Sequence, residues 1–320
     1  MKKRQLGSVD FQVSPVSFGG AGISSEGKGY GFGYISEKDA VALLRKAYDR
    51  GINLFDTAPI YGHGVSETRI GKALKDVREQ VFIVNKSGVT WDADGNITRT
   101  NDPAVTQRML EQSLRDLQTD YIDLYMLHWP DANVDIRLPM EVLRRARDQG
   151  QILHIGLCNT HVEDLEKAQE VAPIAAVQCQ FSLFETGPCE TLFPYLRSHQ
   201  IGFMSWGTLD RGILTGRVTT HRTYDRYDAR AGAPWWKEEV IERKLQAMAE
   251  IEPLLEGHTG LELALGFVLR KPEVSTALCG IRSEEQLDSM IAACRNLPED
   301  SLLDRAGAIA LRHVPPEPYW

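Results

Sequence analysis

The sequence predicts an α/β fold: a single (β/α)8 TIM barrel over residues 1–320, with an N-terminal β-hairpin and long loops at its C-terminal face. Three observations predict it. Short apolar runs alternate with amphipathic helical stretches along nearly the whole chain. Eight such runs in 320 residues give about 40 residues per unit, which matches a barrel of ~250 residues plus extensions. The glycine-rich segment after the first run, "FGGAGISSEGKGYGFG", lacks the G-x-G-x-x-G spacing that a doubly wound open sheet wants at this place.

The strands are expected at 16–20, 53–58, 81–88, 121–129, 152–159, 175–180, 201–207 and 274–280. Their continuous apolar character suits a parallel sheet covered by helices. Helices are expected between them, for example at 37–51, 102–117 and 161–172. The first ends at Gly51, a C-terminal cap, and the second opens on Asp102 followed by Pro103, an N-cap with proline in the first turn. The longest irregular stretch is 207–236, after the seventh strand.

Composition narrows the partners. The chain is 42% hydrophobic and 25% charged, with a formal net charge of -8. It has no run of Lys and Arg long enough to track a phosphate backbone, so nucleic acid and anionic membrane are poor partners. The basic N-terminus, "MKKRQLGSVDFQVS", is followed by no apolar core and does not read as a signal peptide. No stretch approaches the ~20 apolar residues of a membrane span. Cys158, Cys179, Cys189, Cys279 and Cys294 show no C-x-x-C pair and read as reduced thiols of a cytoplasmic protein. The eight histidines form no H-x-H or H-x-x-x-H group at strand ends, so a metal site is not expected.

In a barrel the active site lies at the C-terminal ends of the strands. Asp56 ends the second apolar run, Lys86 the third, His128 the fourth and Asn159 the fifth, and Gln178 lies near the end of the sixth. Taken singly, each has a bland reading: a strand-end aspartate is often a cap, a Lys–Asp pair is often structural, and a histidine can be a satisfied core residue. Five successive strands with a polar group at the same end favour a shared site. Asp56 can pair with Lys86 on the neighbouring strand, where a paired buried charge is tolerable. The ammonium should lower the pKa of Tyr61, five residues beyond Asp56. Tyr61 then exchanges a proton with a carbonyl or alcohol oxygen, and His128 bonds the same oxygen.

These stretches resemble the aldo-keto reductase family. "LFDTAPIYGHGVSE" is similar to the family's aspartate and tyrosine motif, "VNKSG" to its lysine strand and "YIDLYMLHWPD" to its histidine strand. The resemblance runs from about residue 4 to about 294. It implies the barrel, a catalytic tetrad of Asp56, Tyr61, Lys86 and His128, and a nicotinamide cofactor, NADP with NAD as the other possibility.

The resemblance also implies the cofactor residues. In "GLCNT", Asn159 matches and Cys158 replaces a serine, and Gln178 supplies the next carboxamide. In "GFMSWGTLDRGILTGR", Trp206 stands where a tyrosine stacks on nicotinamide, with Gly207, Leu209, Gly212 and Leu214 along the pyrophosphate. In "CGIRSEEQLDSMIAA", Gly280, Arg282 and Gln286 fall on the adenosine side, and Met290 stands where an asparagine often reads adenine. Trp91, Trp129, Trp235 and Trp236 would line an aromatic substrate mouth, with 227–239 as its lip. The implied activity is carbonyl–alcohol interconversion of a small aldehyde, ketone or aldose. The alternative is a cofactor-binding regulatory or redox-sensing subunit with little turnover.

Overall fold

The computed structural model describes residues 1–24 and 28–315. Eight parallel strands close into a barrel: β3 (Val16–Gly19), β4 (Leu54–Asp56), β5 (Phe82–Ser87), β8 (Ile122–Leu127), β9 (Ile152–Cys158), β10 (Ala176–Gln180), β11 (Gly202–Trp206) and β12 (Val274–Gly280). All eight fall within the expected ranges. Two antiparallel hairpins flank the barrel. One is β1 (Arg4–Gln5) with β2 (Gln12–Val13), and the other is β6 (Val89–Trp91) with β7 (Ile97–Arg99). The helices form the outer layer: α1 (Glu37–Asp49), α2 (Val65–Leu74), α3 (Pro103–Leu117), α4 (Arg137–Asp148), α5 (Val162–Gln169), α6 (Leu192–His199), α7 (Glu238–Ile251), α8 (Gly260–Leu269), α9 (Glu284–Ala293) and α10 (Asp300–His313).

Local chemistry explains the ends. Ser36 caps α1 by accepting from the Asp39 amide. At its other end Gly51 takes φ 91°. Gly51 N donates to Tyr48 O and Ile52 N to Ala47 O, a Schellman motif closed by buried Ile52 and Ala47. Asp102 caps α3 through Val105 N, with Pro103 in the first turn. Helix α5 stops at Gln169, short of the expected 172. Pro173 follows, and a residue before proline is driven out of the α region. The stretch 207–236 holds neither strand nor α-helix, only a short 3-10 turn at Asp210–Thr215.

Strand side chains alternate between two apolar layers. Phe55, Ile83, Tyr125, Leu157, Val177 and Phe203 face the helices. Leu54, Phe82, Val84, Leu124, Met126, Ala176 and Met204 fill the barrel. The first hairpin plugs the barrel floor with Leu6, Val9 and Val13, all buried in that inner cluster. The parity decides what reaches the top. Stepping by two from the inner residues leads to Asp56, Lys86, His128, Cys158, Gln178, Trp206 and Gly280.

Leu6 is fully buried in the plug. Leu6→Ala should cost about 2–5 kcal/mol through lost burial and the cavity left behind. A lower denaturation midpoint with an unchanged slope would show it. An unchanged midpoint would mean that the hairpin contributes nothing to barrel stability.

Candidate active site

Asp56 and Lys86 form the centre of the barrel mouth. Lys86 Nζ lies 2.6 Å from Asp56 Oδ1 and donates to Thr57 O at 2.9 Å. Both side chains are almost wholly removed from solvent. Gln178 Nε2 donates to the same Asp56 oxygen at 2.7 Å. One carboxylate oxygen thus ties together strands β4, β5 and β10.

Tyr61 comes from the loop after β4, whose turn is closed by Tyr61 N donating to Ala58 O and Gly64 N to Pro59 O. Gly62, at φ 67°, lets this turn pass Ser24: a Cβ there would lie 2.1 Å from the Ser24 carbonyl oxygen. The Tyr61 ring sits 5.4 Å from Lys86 Nζ and edge-on to His128, with centroids 6.2 Å apart. The four residues expected as a tetrad converge.

The electrostatics differ from expectation at Tyr61. Its pKa is raised well above the usual phenol value, first by burial and then by the Asp56 charge. Burial and the Asp56 charge outweigh the lowering expected from Lys86. Tyr61 therefore keeps its proton across the physiological range. His128 is held well below its usual value by burial, Lys86 and Arg99, and is neutral.

Residues 15–304 match the model of the Aldo/keto reductase family. The chain belongs to this family. It is 33% identical over 295 residues to the aldo-keto reductase YhdN of Bacillus subtilis (strain 168), covering 91% of this chain and 88% of the relative. It is 30% identical to the NADH-specific methylglyoxal reductase of Escherichia coli (strain K12), covering 97% of this chain and 99% of the relative. Its structure is similar to the glycerol dehydrogenase AKR11B4 from Gluconobacter oxydans, with TM-score 0.84, 29% identity, and 98% and 97% of the two chains covered. Nicotinamide-dependent interconversion of carbonyl and alcohol is the chemistry of this chain.

In this aldo/keto reductase the residues expected near the nicotinamide form one network. Asn159 takes φ 53°, which breaks the strand parity after Cys158. Its Nδ2 donates to His128 O at 2.9 Å, and its Oδ1 accepts from Trp206 Nε1 at 3.0 Å. Cys158 Sγ stands between the carboxamides, 3.3 Å from Asn159 Nδ2 and 3.5 Å from Gln178 Oε1.

On the pyrophosphate side, Gly207 and Gly212 have φ of 70° and 103°. Leu209 and Leu214 turn their side chains into the outer apolar layer, which leaves only their backbone for a ligand. On the adenosine side, Gln286 Oε1 accepts from Arg282 N at 2.8 Å, and Arg282 Nη2 donates to Tyr34 O at 2.7 Å. Gly280 is exposed and has open space beside it. Met290 is buried in the outer layer and presents no side chain to a ligand.

The four expected substrate tryptophans separate into two groups. Trp91 and Trp129 join Tyr30 and Tyr61 around Ala58, Ile60 and Val89 at the mouth. Trp91 stacks on His63 at 4.1 Å, and Arg99 lies 3.9 Å from the Trp129 ring centroid. Trp236 instead packs against the helical layer and edge-on to Tyr224. Trp235 is exposed under the Arg211 guanidinium. The segment expected as a lip pairs with the first barrel loop, Phe32 bridging Asp228 and Ala229 N donating to Gly31 O, and its last two residues, Glu238 and Glu239, begin α7. Backbone pairing holds this segment, which no side-chain pattern could announce.

Sequence reasoning missed several residues. Asp210 is buried, at φ 43°, and pairs with Lys244 Nζ at 2.7 Å beneath the loop after β11. Glu67 is also buried, although "VSE" lies inside the tyrosine motif. Among the described residues it has no ion-pair partner, and burial raises its pKa to about 7.

Glu67 makes stability depend on pH. Between its ordinary value of 4.5 and about 7, the folded protein holds a proton that the unfolded chain releases. That contribution is complete below 4.5 and is lost as pH rises through 7. Glu67→Gln, which keeps the shape without the charge, should be close to the parent at pH 5. At pH 8 it should be more stable by about 3 kcal/mol, the worth of the shift from 4.5 to about 7. Denaturant titrations at both pH values measure this, and a constant difference would show that Glu67 takes up no proton on folding.

Proposed function

We propose that this enzyme reduces small aldehydes and ketones with NADPH, Tyr61 donating the proton. The observation that carries the reading is the convergence of Tyr61, His128 and the buried Asp56–Lys86 pair at one barrel mouth. Tyr61 acts as general acid from a protonated phenol. Asp56 holds Lys86 charged beside the ring, where it stabilises the phenolate left after proton transfer. Neutral His128 orients the carbonyl oxygen by a hydrogen bond.

The donor set fits a nicotinamide cofactor. Asn159 and Gln178 offer two carboxamides side by side, and each retains capacity beyond its present bonds: the Asn159 oxygen has a second lone pair and Gln178 Nε2 a second hydrogen. Trp206 supplies an aromatic ring at the same strand ends. At the far side Arg282 Nε is a buried donor without a hydrogen-bond partner among the described residues. When bound, the cofactor supplies the hydride. Asn159, Gln178 and Trp206 would hold its nicotinamide end, the backbone of 207–214 its pyrophosphate, and Arg282 with Gln286 its adenosine end.

Substrate size is read from the mouth. Tyr30, Trp91 and Trp129 gather with Tyr61 around Ala58, Ile60 and Val89, which suits a compact carbonyl compound. The relatives named for methylglyoxal and glycerol support a small, oxygen-rich substrate. The five cysteines stand as thiols, three of them buried, which suits a reducing compartment such as the cytoplasm.

Tyr61→Phe removes the proton donor and keeps the ring. Carbonyl reduction should fall by at least about 100-fold, with cofactor affinity little changed. Near-normal kcat would remove Tyr61 from the mechanism.

Arg282→Ala should weaken NADPH binding by about 10- to 100-fold and leave NADH nearly unaffected, because only NADPH carries the 2′-phosphate that a guanidinium grips. Quenching of tryptophan fluorescence measures both dissociation constants. Equal weakening would assign Arg282 to holding the Tyr34 loop, and no change in either would place phosphate recognition elsewhere.

A further inference from the structure

Behind Lys86, between the strands and the helices, lies a polar island that the mechanism does not use. Asn85 and Ser87 flank Lys86 on β5 and face outward, and Tyr125 is the register partner of Asn85 on β8. Glu67, in the first turn of α2, reaches this island with only 1% of its surface exposed. Its Oε1 accepts from Asn85 Nδ2 at 2.7 Å. The Asn85 oxygen accepts in turn from the Lys86 backbone N–H at 2.7 Å. Two short bonds therefore link the Glu67 carboxyl to the residue whose ammonium holds Asp56.

We propose that Glu67 is a positioning residue whose protonation state, relayed through Asn85, sets the hold on the Lys86 segment of β5 and so tunes turnover. This rests on the role assigned to Lys86 above.

An ionised Glu67 accepts a charge-assisted bond from Asn85, roughly twice as strong as a neutral one. It also places a negative charge behind the Lys86 ammonium. A proton on Glu67 removes both effects. The surroundings make that proton available. Asp116 from α3 and the second carboxyl oxygen of Glu67 both border Gly64, and the Asp116 charge disfavours a second one. Ser113 from α3 and Tyr125 from β8 stand beside the carboxyl with buried hydroxyls, and the Ser113 hydroxyl favours its ionised form. From β5 only Asn85 and the Lys86 charge oppose protonation, together with the Ser113 hydroxyl. The balance places the change near pH 7.

The test reads the link without substrate. Protein labelled with 15N-lysine gives a Lys86 amide signal, identified by its absence from Lys86→Met. In the parent that signal should shift with a single midpoint near pH 7. In Glu67→Gln it should not shift, and in Ser113→Ala the midpoint should move upward, because a bond that favours the ionised carboxyl is gone. A signal that stays fixed in the parent, or moves identically in Glu67→Gln, overturns the inference even if the carbonyl chemistry stands. On turnover, Glu67→Gln should show at every pH the kcat that the parent reaches at its acid limit, with KM unmoved. Parallel kcat profiles in the two proteins would overturn the tuning. If Tyr61→Phe kept its turnover, the assigned proton donor would fall while the amide titration still decided the link.

Discussion

The site depends on one ion pair sealed inside the barrel mouth. An isolated Lys86 ammonium or Asp56 carboxylate would be expelled from such a place or neutralised. Together they tolerate burial because the remaining donors and acceptors are also used: Lys86 on the Thr57 carbonyl, Asp56 on the Gln178 amide. The pair then serves two ends. It cross-links three strands near the top of the barrel, and it leaves a fixed cation near a phenol that burial keeps protonated. Under the proposed mechanism, stability and reactivity draw on the same contact, so a change to either partner affects both.

The barrel supplies the rigidity that this pair requires. Its inner layer is plugged from below by the first hairpin and closed by register-matched strands, so the inward residues of successive strands meet at one level. The helices are held by a separate outer layer. Between the layers the Glu67–Asn85 link is a polar intrusion into otherwise apolar packing. A buried carboxyl without a cation lowers stability at neutral pH. The proposed link from Glu67 to Lys86 gives the structure a reason to carry that cost.

The far side of the mouth is built differently. There the backbone decides: left-handed residues at Asn159, Asp210, Arg211 and Gly212, and pairing between the first and seventh barrel loops. Arg282 is shared between that loop pairing, through Tyr34, and any anionic ligand that reaches it. If Arg282 grips the cofactor as proposed, cofactor affinity and loop order are coupled through this one guanidinium.

The sequence by itself determined the barrel, the ends of most of its elements and the four residues that meet at the mouth. Each is written in local chemistry or in a two-residue period: caps at Gly51 and Asp102, and inward parity running from Leu54 to Asp56 and from Phe82 to Lys86. Belonging to the aldo/keto reductase family was legible for the same reason, since its motifs sit at strand ends in order. Tertiary structure alone decided three things. Burial and the Asp56 charge, not the neighbouring lysine, set the Tyr61 proton. Packing sent Trp236 and Met290 into the outer layer, though either could face a ligand by sequence position. Nothing in the chain singles out Glu67, and only the closing of α2 and α3 over β5 took its solvent away. These outcomes depend on which surfaces meet across long separations in the chain, and no local pattern records that.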